Sequence, residues 1–333
     1  MTTTILIPAS RADWINVRHP TVGASESPAM LGVHPKVTPF ELWARKSSVL
    51  IDRDNRFKRR GRLLEPIGVQ ILREERPDWA VTPNIIGEGG KFYQDIEAGI
   101  SCTPDVFVFD STRVPTERAH SWQEATEFVN RAGTGVCNIK TVDPYVFRKD
   151  WMIDGAIQLP VYVAIQAMQE MYLTGASWGC VGAVVGFDLG FHLIDVELHG
   201  GVIERIKRAA ADFLRRVREN DPPPPDYARD GDAIRGLYAD DSGGVIDLSG
   251  NERIAKLAAR HLALKEIESA AYAAKKERDI IDPEIIEALG NAQCGTINGL
   301  LIEAKTVRRH YKATEAHITS SRPVKIKTAS ASA

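Results

Sequence analysis

Within the apolar run GVCNIKT, residues 135–141, two polar side chains stand two positions apart, Asn138 and Lys140. The apolar residues around them make the segment a strand, and residues two apart on a strand share a face. A sheet containing this strand therefore presents an amide and an amine side by side. A second polar island, Thr103-Pro104-Asp105, precedes another apolar strand that carries Val106 and Val108.

Around these islands strands and helices alternate. Residues 23–32 read as a short helix opened by Ser25 and closed by Gly32. Thr38, Pro39 and Glu41 form a capping box for the next helix, which carries Leu42, Trp43 and Lys46. A longer helix is expected over 61–75, with Leu64, Ile67, Gly68, Ile71 and Leu72 on its apolar side. Segments 91–97 and 99–109 read as a hairpin around Ala98-Gly99, and 111–132 as an irregular insertion or lid. After strand 135–141 come a helix over 153–172, strands 180–187 and 191–198, and a helix over 201–219. This order predicts an α/β fold: a mixed central sheet flanked by helices on both faces.

Asp221-Pro222-Pro223-Pro224-Pro225-Asp226 is a stiff break. It suggests a core over 1–220, a connecting segment over 221–250 and a smaller α+β region over 251–333. There Ser249 and Glu252 open an alanine-rich helix to about residue 279. Its apolar seam (Ile254, Leu257, Leu264) fades, which favours a packed helical pair over a long coiled coil. A terminal hairpin is expected from 295–311 and 315–327.

Four scattered cysteines argue against a zinc or iron–sulfur site and suit a reducing cytoplasm. No apolar stretch is long enough for a membrane span, and the first residues lack the pattern of a signal peptide. The formal net charge is −2, so a nucleic-acid partner would need a local basic patch. The run 53–62, RDNRFKRRGR, is one. It reads as a loop, and its Arg56, Lys58, Arg59, Arg60 and Arg62 lead into Glu65.

Hydrolysis of a phosphodiester at neutral pH needs an activated water and neutralisation of charge on the phosphorane. Magnesium, held by hard oxygen ligands, provides both. Asp105, position 138 and the Ile139 carbonyl are candidate ligands, with Lys140 as the cation beside them. Gln158, Tyr162 and Gln166 recur every four residues, which puts them on one face of the 153–172 helix. That face is expected to look at the site.

The order of these residues resembles the YqaJ-type viral recombinases, relatives of the lambda exonuclease in the PD-(D/E)xK nuclease superfamily. The resemblance covers roughly residues 10–220. It rests on Arg18 with Gly23-Ala24-Ser25, Leu31-Gly32, Thr38 to Trp43, and Gly61 with Glu65. It continues through Thr103-Pro104-Asp105, Ile139-Lys140-Thr141, and Gln158 to Tyr162 with Gln166.

The resemblance implies a restriction-endonuclease-like core and a magnesium-dependent exonuclease, with manganese as a substitute metal, that degrades one strand of duplex DNA from its 5′ end. It implies Asp105, residue 138, Ile139 and Glu65 around the metal, Lys140 as the catalytic lysine, and Gln158 and Tyr162 facing them. Arg18 and Ser25 fall where the family binds the 5′-phosphate, and Lys58, Arg59, Arg60 and Arg62 are candidate DNA contacts. Implied partners are duplex DNA ends, a single-strand annealing protein and further copies of the chain, in the cytoplasm of a bacterial host and away from membranes.

Asn138 departs from the pattern, which wants Asp or Glu there. An amide offers one neutral oxygen to a cation, a weaker ligand than a carboxylate. Three explanations stand: a deliberate exchange that inactivates the chain, natural loss of activity, or compensation by another carboxylate such as Glu65, Glu124, Glu127 or Asp143. Two other functions also stay open: non-catalytic binding of DNA ends and structure-selective endonuclease action.

Overall fold

The computed structural model describes residues 3–47, 56–113, 133–186, 188–238, 246–248, 250–311, 317–321 and 325–328. The chain forms two compact units, Met1–Asp241 and Ser242–Ala333. Most of the expected insertion (114–132), with Glu124 and Glu127, lies outside the described residues, as does Ser249.

In the first unit β1 (Thr4–Leu6) and α1 (Arg11–Arg18) lead to β2 (Val22–Gly23), the short α2 (Ser27–Met30) and α3 (Pro39–Lys46). Then come α4 (Arg56–Glu75), β3 (Ala80–Pro83), β4 (Phe92–Asp95), β5 (Ile100–Cys102), β6 (Val106–Phe109) and β7 (Thr134–Val142). The one-turn α5 (Pro144–Val146) precedes a small hairpin, β8 (Met152–Ile153) and β9 (Ala156–Ile157). The unit closes with α6 (Val161–Thr174), β10 (Trp178–Val185), β11 (Gly190–Val196), α7 (Gly200–Glu219) and α8 (Gly231–Leu237).

The central sheet has the order β11-β10-β7-β6-β3. Only β7 and β10 run parallel, joined through α6; the other pairs are antiparallel. A smaller sheet has the order β1-β4-β5-β2. This is the mixed α/β architecture the sequence predicts.

Strand β7 is central and covered on both faces, and the two-residue period divides its side chains. Cys137 and Ile139 pack with Val69 and Leu72 of α4 and with Val106 and Val108. Val136 and Val142 join Val163 and Met171 of α6 and Ile203 and Ile206 of α7. Asn138 and Lys140 thus face α6. Helix α4 lies so close to β7 that a Cβ at Gly68 would stand 2.5 Å from Ile139 Cγ2. Glycine is required there by close approach.

Several expected elements differ. The 99–109 strand splits: β5 pairs with β4 in the small sheet, while β6 pairs with β7 in the central one. The break is Thr103-Pro104-Asp105, where Pro104 has no N–H for a ladder. The expected 153–172 helix begins at Val161. Its first part is the β8–β9 hairpin, followed by Gln158, Leu159 and Pro160. Helix α4 starts at Arg56 rather than 61, so the basic residues 56–62 lie on a helix and not in a loop. Helix α2 is a single turn with Glu26 at its N-cap, so Ser25 is not a cap.

The first unit also runs past the proline break. The Thr38 hydroxyl donates to the Asp230 carboxylate, and the Arg229 guanidinium donates to the His34 carbonyl at 3.0 Å. These bonds tie the segment that leads into α8 back to the start of α3.

In the second unit α9 (Glu252–Leu289) is one continuous helix, where a packed pair ending near 279 was expected. Asn251 caps it by accepting from the Ile254 N–H. Helix-forming residues resume after Pro283, and Gly290 ends the helix at φ +54°. The expected single hairpin is instead a three-stranded sheet, β12 (Cys294–Ile297), β13 (Leu300–Glu303) and β16 (Lys325–Thr328). A separate pair, β14 (Val307–Tyr311) with β15 (His317–Ser321), lies in sequence between β13 and β16. Asn298 and Gly299, at φ 50° and 77°, make a two-residue turn between β12 and β13. Positive φ at both positions is the signature of a type I′ hairpin.

Candidate active site

The site begins with the two polar residues of β7. Asn138 is 1% exposed, and its Nδ2 donates to both oxygens of Glu170, each at 3.0 Å. Lys140 Nζ donates to Gln166 Oε1 at 3.1 Å, and Gln166 Nε2 donates to Glu170 Oε1 at 2.9 Å. Gln166 and Glu170 are one turn apart on α6. Asn138, Glu170, Gln166 and Lys140 therefore form a chain of hydrogen bonds between strand and helix.

Asp105 approaches from the break between β5 and β6. Its Oδ2 accepts the Ile139 N–H at 2.9 Å, which fixes the carboxylate beside β7 between the two polar positions. From α4 comes Glu65, half-buried. Burial and the Asp105 charge push its carboxyl up to about 7, against the pull of Lys140. Glu170, 1% exposed, is likewise pushed up to about 7, first by burial and then by Asp105. Asp105 is itself raised by burial, with Lys140 and the Ile139 N–H opposing. Three carboxylates, two of them raised by the charge of the third, Asp105, around a single lysine make a site short of positive charge.

That electrostatic imbalance suits a hard cation. Among the described residues no three His, Cys, Asp or Glu side chains close on one point. Neutral oxygens would therefore supply part of an ion's shell, and the Ile139 carbonyl remains a candidate. One neutral oxygen is conspicuous: Asn138 Oδ1 is buried and has no hydrogen-bond partner. Of the other compensating carboxylates weighed from sequence, Asp143 instead caps α5, accepting from Tyr145 N at 2.9 Å.

The α6 face differs from the expected one. Gln158 is exposed and precedes the helix; its backbone N–H donates to the Trp151 carbonyl at 2.7 Å. The four-residue stripe is Tyr162, Gln166 and Glu170. Tyr162 is half-buried, its ring edge-on to His34 at 5.6 Å between centroids. Glu170 is the functional candidate the sequence reading missed. The same four-residue spacing, continued one step, reaches it.

A second polar cluster lies where α1 meets α2. Arg18 Nη2 donates to Ser25 Oγ at 3.0 Å and pairs with Glu26 Oε1 at 3.1 Å. Glu26 Oε2 in turn pairs with Lys46 at 2.9 Å and accepts the Gly23 N–H at 2.8 Å. Burial would raise the Glu26 carboxyl, but two cations and the N–H outweigh it and hold it below its usual range. Lys46 pairs with Glu26 and has Arg18 nearby; burial prevails and its pKa falls. Arg18 also lies over the Trp14 ring, 5.0 Å from its centroid, and Trp14 Nε1 donates to Thr103 Oγ1 at 2.8 Å. The cluster is thereby tied to the segment that carries Asp105. Lys58, Arg59, Arg60 and Arg62 occupy the first turns of α4, one to two turns before Glu65.

Fold and site together define an α/β domain whose central sheet carries a buried centre of carboxylates and one lysine. Residues 13–177 match the family model of the YqaJ-like viral recombinase domain. Among solved structures the chain resembles an alkaline exonuclease from Laribacter hongkongensis at 17% identity and a TM-score of 0.44. That likeness covers 67% of this chain and 98% of the other. It also resembles a phage-related exonuclease from Haemophilus somnus 129PT at 13% identity and a TM-score of 0.37, over 62% and 98% of the two chains. No curated protein matches the sequence. Among the described residues no helix is long and apolar enough to cross a membrane.

Proposed function

We propose that the chain is a magnesium-dependent exonuclease that degrades duplex DNA from a 5′ end, in a recombination system of phage type. One observation carries this reading: Asp105 is anchored on the Ile139 N–H, between Asn138 and Lys140, with Glu65 close enough to feel its charge. A buried anionic centre with a single amine is poorly suited to stability alone and well suited to holding a cation against a phosphodiester. The match of residues 13–177 to a viral recombinase family supports a DNA substrate.

When bound, magnesium acidifies water and offsets charge on the phosphoryl oxygens; manganese can substitute. Asp105, Glu65 and neutral oxygens of β7 would hold it. Lys140, oriented through Gln166, points its ammonium at the same region and stabilises the negative charge that develops as the phosphorus is attacked. Arg18 and Ser25 bind the terminal 5′-phosphate, and the phosphate displaces Glu26 from Arg18. The basic first turns of α4 hold the duplex through its backbone. The natural partners are an annealing protein that takes the surviving 3′ strand and further copies of the chain, in the cytoplasm of a bacterial host.

The test is cleavage of 5′-phosphorylated linear duplex in magnesium. The wild type releases nucleotides from the 5′ end, and Asp105→Asn and Lys140→Ala abolish release. Asn138 favours a second reading, a protein that binds DNA ends without cutting them. Tight end binding by a wild type that never cleaves, in magnesium or manganese, decides for that reading.

A further inference from the structure

We propose that Glu170 is a cation-ligating carboxylate of this site and that the Asn138 amide is the group that positions it. The charge that β7 lacks at position 138 is supplied by α6 from position 170. The inference rests on the nuclease reading above and adds to it a residue and a division of roles.

The hydrogen bonds carry the argument. Asn138 Nδ2 reaches both Glu170 oxygens at 3.0 Å, so the amide holds the head of the carboxylate in place, and the Gln166 bond to Oε1 sets its rotation. Oε1 also accepts from Gln166, whereas Oε2 has the Asn138 bond alone and keeps an open lone pair. Lys140, whose charge Glu170 feels, directs its own hydrogen bond to Gln166 instead. Among the described residues, a carboxylate 1% exposed is thus left without a direct cationic partner.

The unpartnered, buried Oδ1 of Asn138 is an independent sign of a missing ligand. Buried polar atoms are nearly always satisfied, and an orphan beside a carboxylate points to an ion or water. An amide at 138 and a carboxylate at 170 also avoid a clash. Two carboxylates at this separation would repel, whereas amide and carboxylate bind each other and leave one charge for the cation. Asn138 is then a matched partner of Glu170 rather than a lesion.

The experiment measures calcium binding by calorimetry on the full chain, with calcium-induced thermal stabilisation as a second readout. The expected results are these. Asp105→Asn and Glu170→Gln each weaken calcium affinity by about tenfold to a hundredfold. Asn138→Asp/Glu170→Gln, which returns the carboxylate to the strand, recovers most of that loss. Without cation, Glu170→Gln melts at or above the wild type, because it removes a buried charge and keeps the shape. If Glu170→Gln binds calcium like the wild type while Asp105→Asn does not, the inference fails and the nuclease reading stands. If calcium binds neither the wild type nor Asp105→Asn, both fail. If Glu170→Gln melts far below the wild type without cation and the double variant recovers no affinity, Glu170 is structural and the inference is overturned.

Discussion

Gly68→Ala tests how the fold sets the site. A Cβ at position 68 would stand 2.5 Å from Ile139 Cγ2 and 3.3 Å from Val184 Cγ2. The first contact lies well inside van der Waals distance and falls on a buried side chain of the central strand, so α4 and β7 must move apart. Overpacking of this kind costs about 1–3 kcal/mol. In the opposite direction, alanine in a helix interior gains about 0.8–1 kcal/mol over glycine. The net expectation is a loss of up to about 2 kcal/mol. In an Ile139→Ala background the 2.5 Å clash disappears; the 3.3 Å approach to Val184 Cγ2 remains and needs only a small shift into the space vacated, so most of the helix gain is kept. Gly68→Ala should then stabilise the protein by up to about 1 kcal/mol. The sign of one substitution should reverse with the residue opposite it. Urea unfolding of the four proteins, with unchanged m-values, measures the coupling. Equal effects in both backgrounds, within about 0.5 kcal/mol, would refute the close-packing argument. Because the Ile139 N–H holds Asp105, folded Gly68→Ala should also cleave more slowly than the wild type.

Three further outcomes follow from the same geometry. Arg18→Ala should slow cleavage of 5′-phosphorylated ends far more than of 5′-hydroxyl ends, since only the former offers the arginine its anion; equal losses would assign Arg18 to folding. Lys58→Ala/Arg59→Ala/Arg60→Ala should weaken duplex binding alike on all sequences and flatten the salt dependence by up to about one unit per lost phosphate contact, and an unchanged slope would move the DNA path elsewhere. The Glu26 carboxyl is held below its usual range by Arg18 and Lys46 despite burial, so its stabilising contribution is full above the unfolded value of ~4.3 and disappears as pH falls through the folded one. Thermal melts should therefore show a weaker acid dependence below about pH 4.3 for Glu26→Gln than for the wild type, and parallel curves would mean the ion pair contributes nothing.

The sequence by itself determined the α/β class, the strand register that puts Asn138 and Lys140 on one face, and the threonine cap at Thr38. These depend on local rules: a period of two, apolar runs, and a threonine three residues before a glutamate. It also singled out Asp105 and Lys140, because each is a polar residue beside or within an apolar strand, whereas Glu65, Arg18 and Ser25 were pointed to by the family resemblance. Only the tertiary structure decided what those residues meet. Pro104 sends β5 and β6 to different sheets, and this brings Asp105 onto the Ile139 N–H. Pro160 and the β8–β9 hairpin remove Gln158 from the helix face, although its spacing from Tyr162 fits that face. The partner of Asn138 lies thirty-two residues away, on a helix that returns across the sheet, and no local pattern encodes that distance. A buried carboxylate in an apolar helix looks like one polar residue among several until the strand beneath it is known. Its environment, an amide on one side and Asp105 and Lys140 nearby, exists only once β7 and α6 have packed, because desolvation and charge proximity are properties of the folded chain.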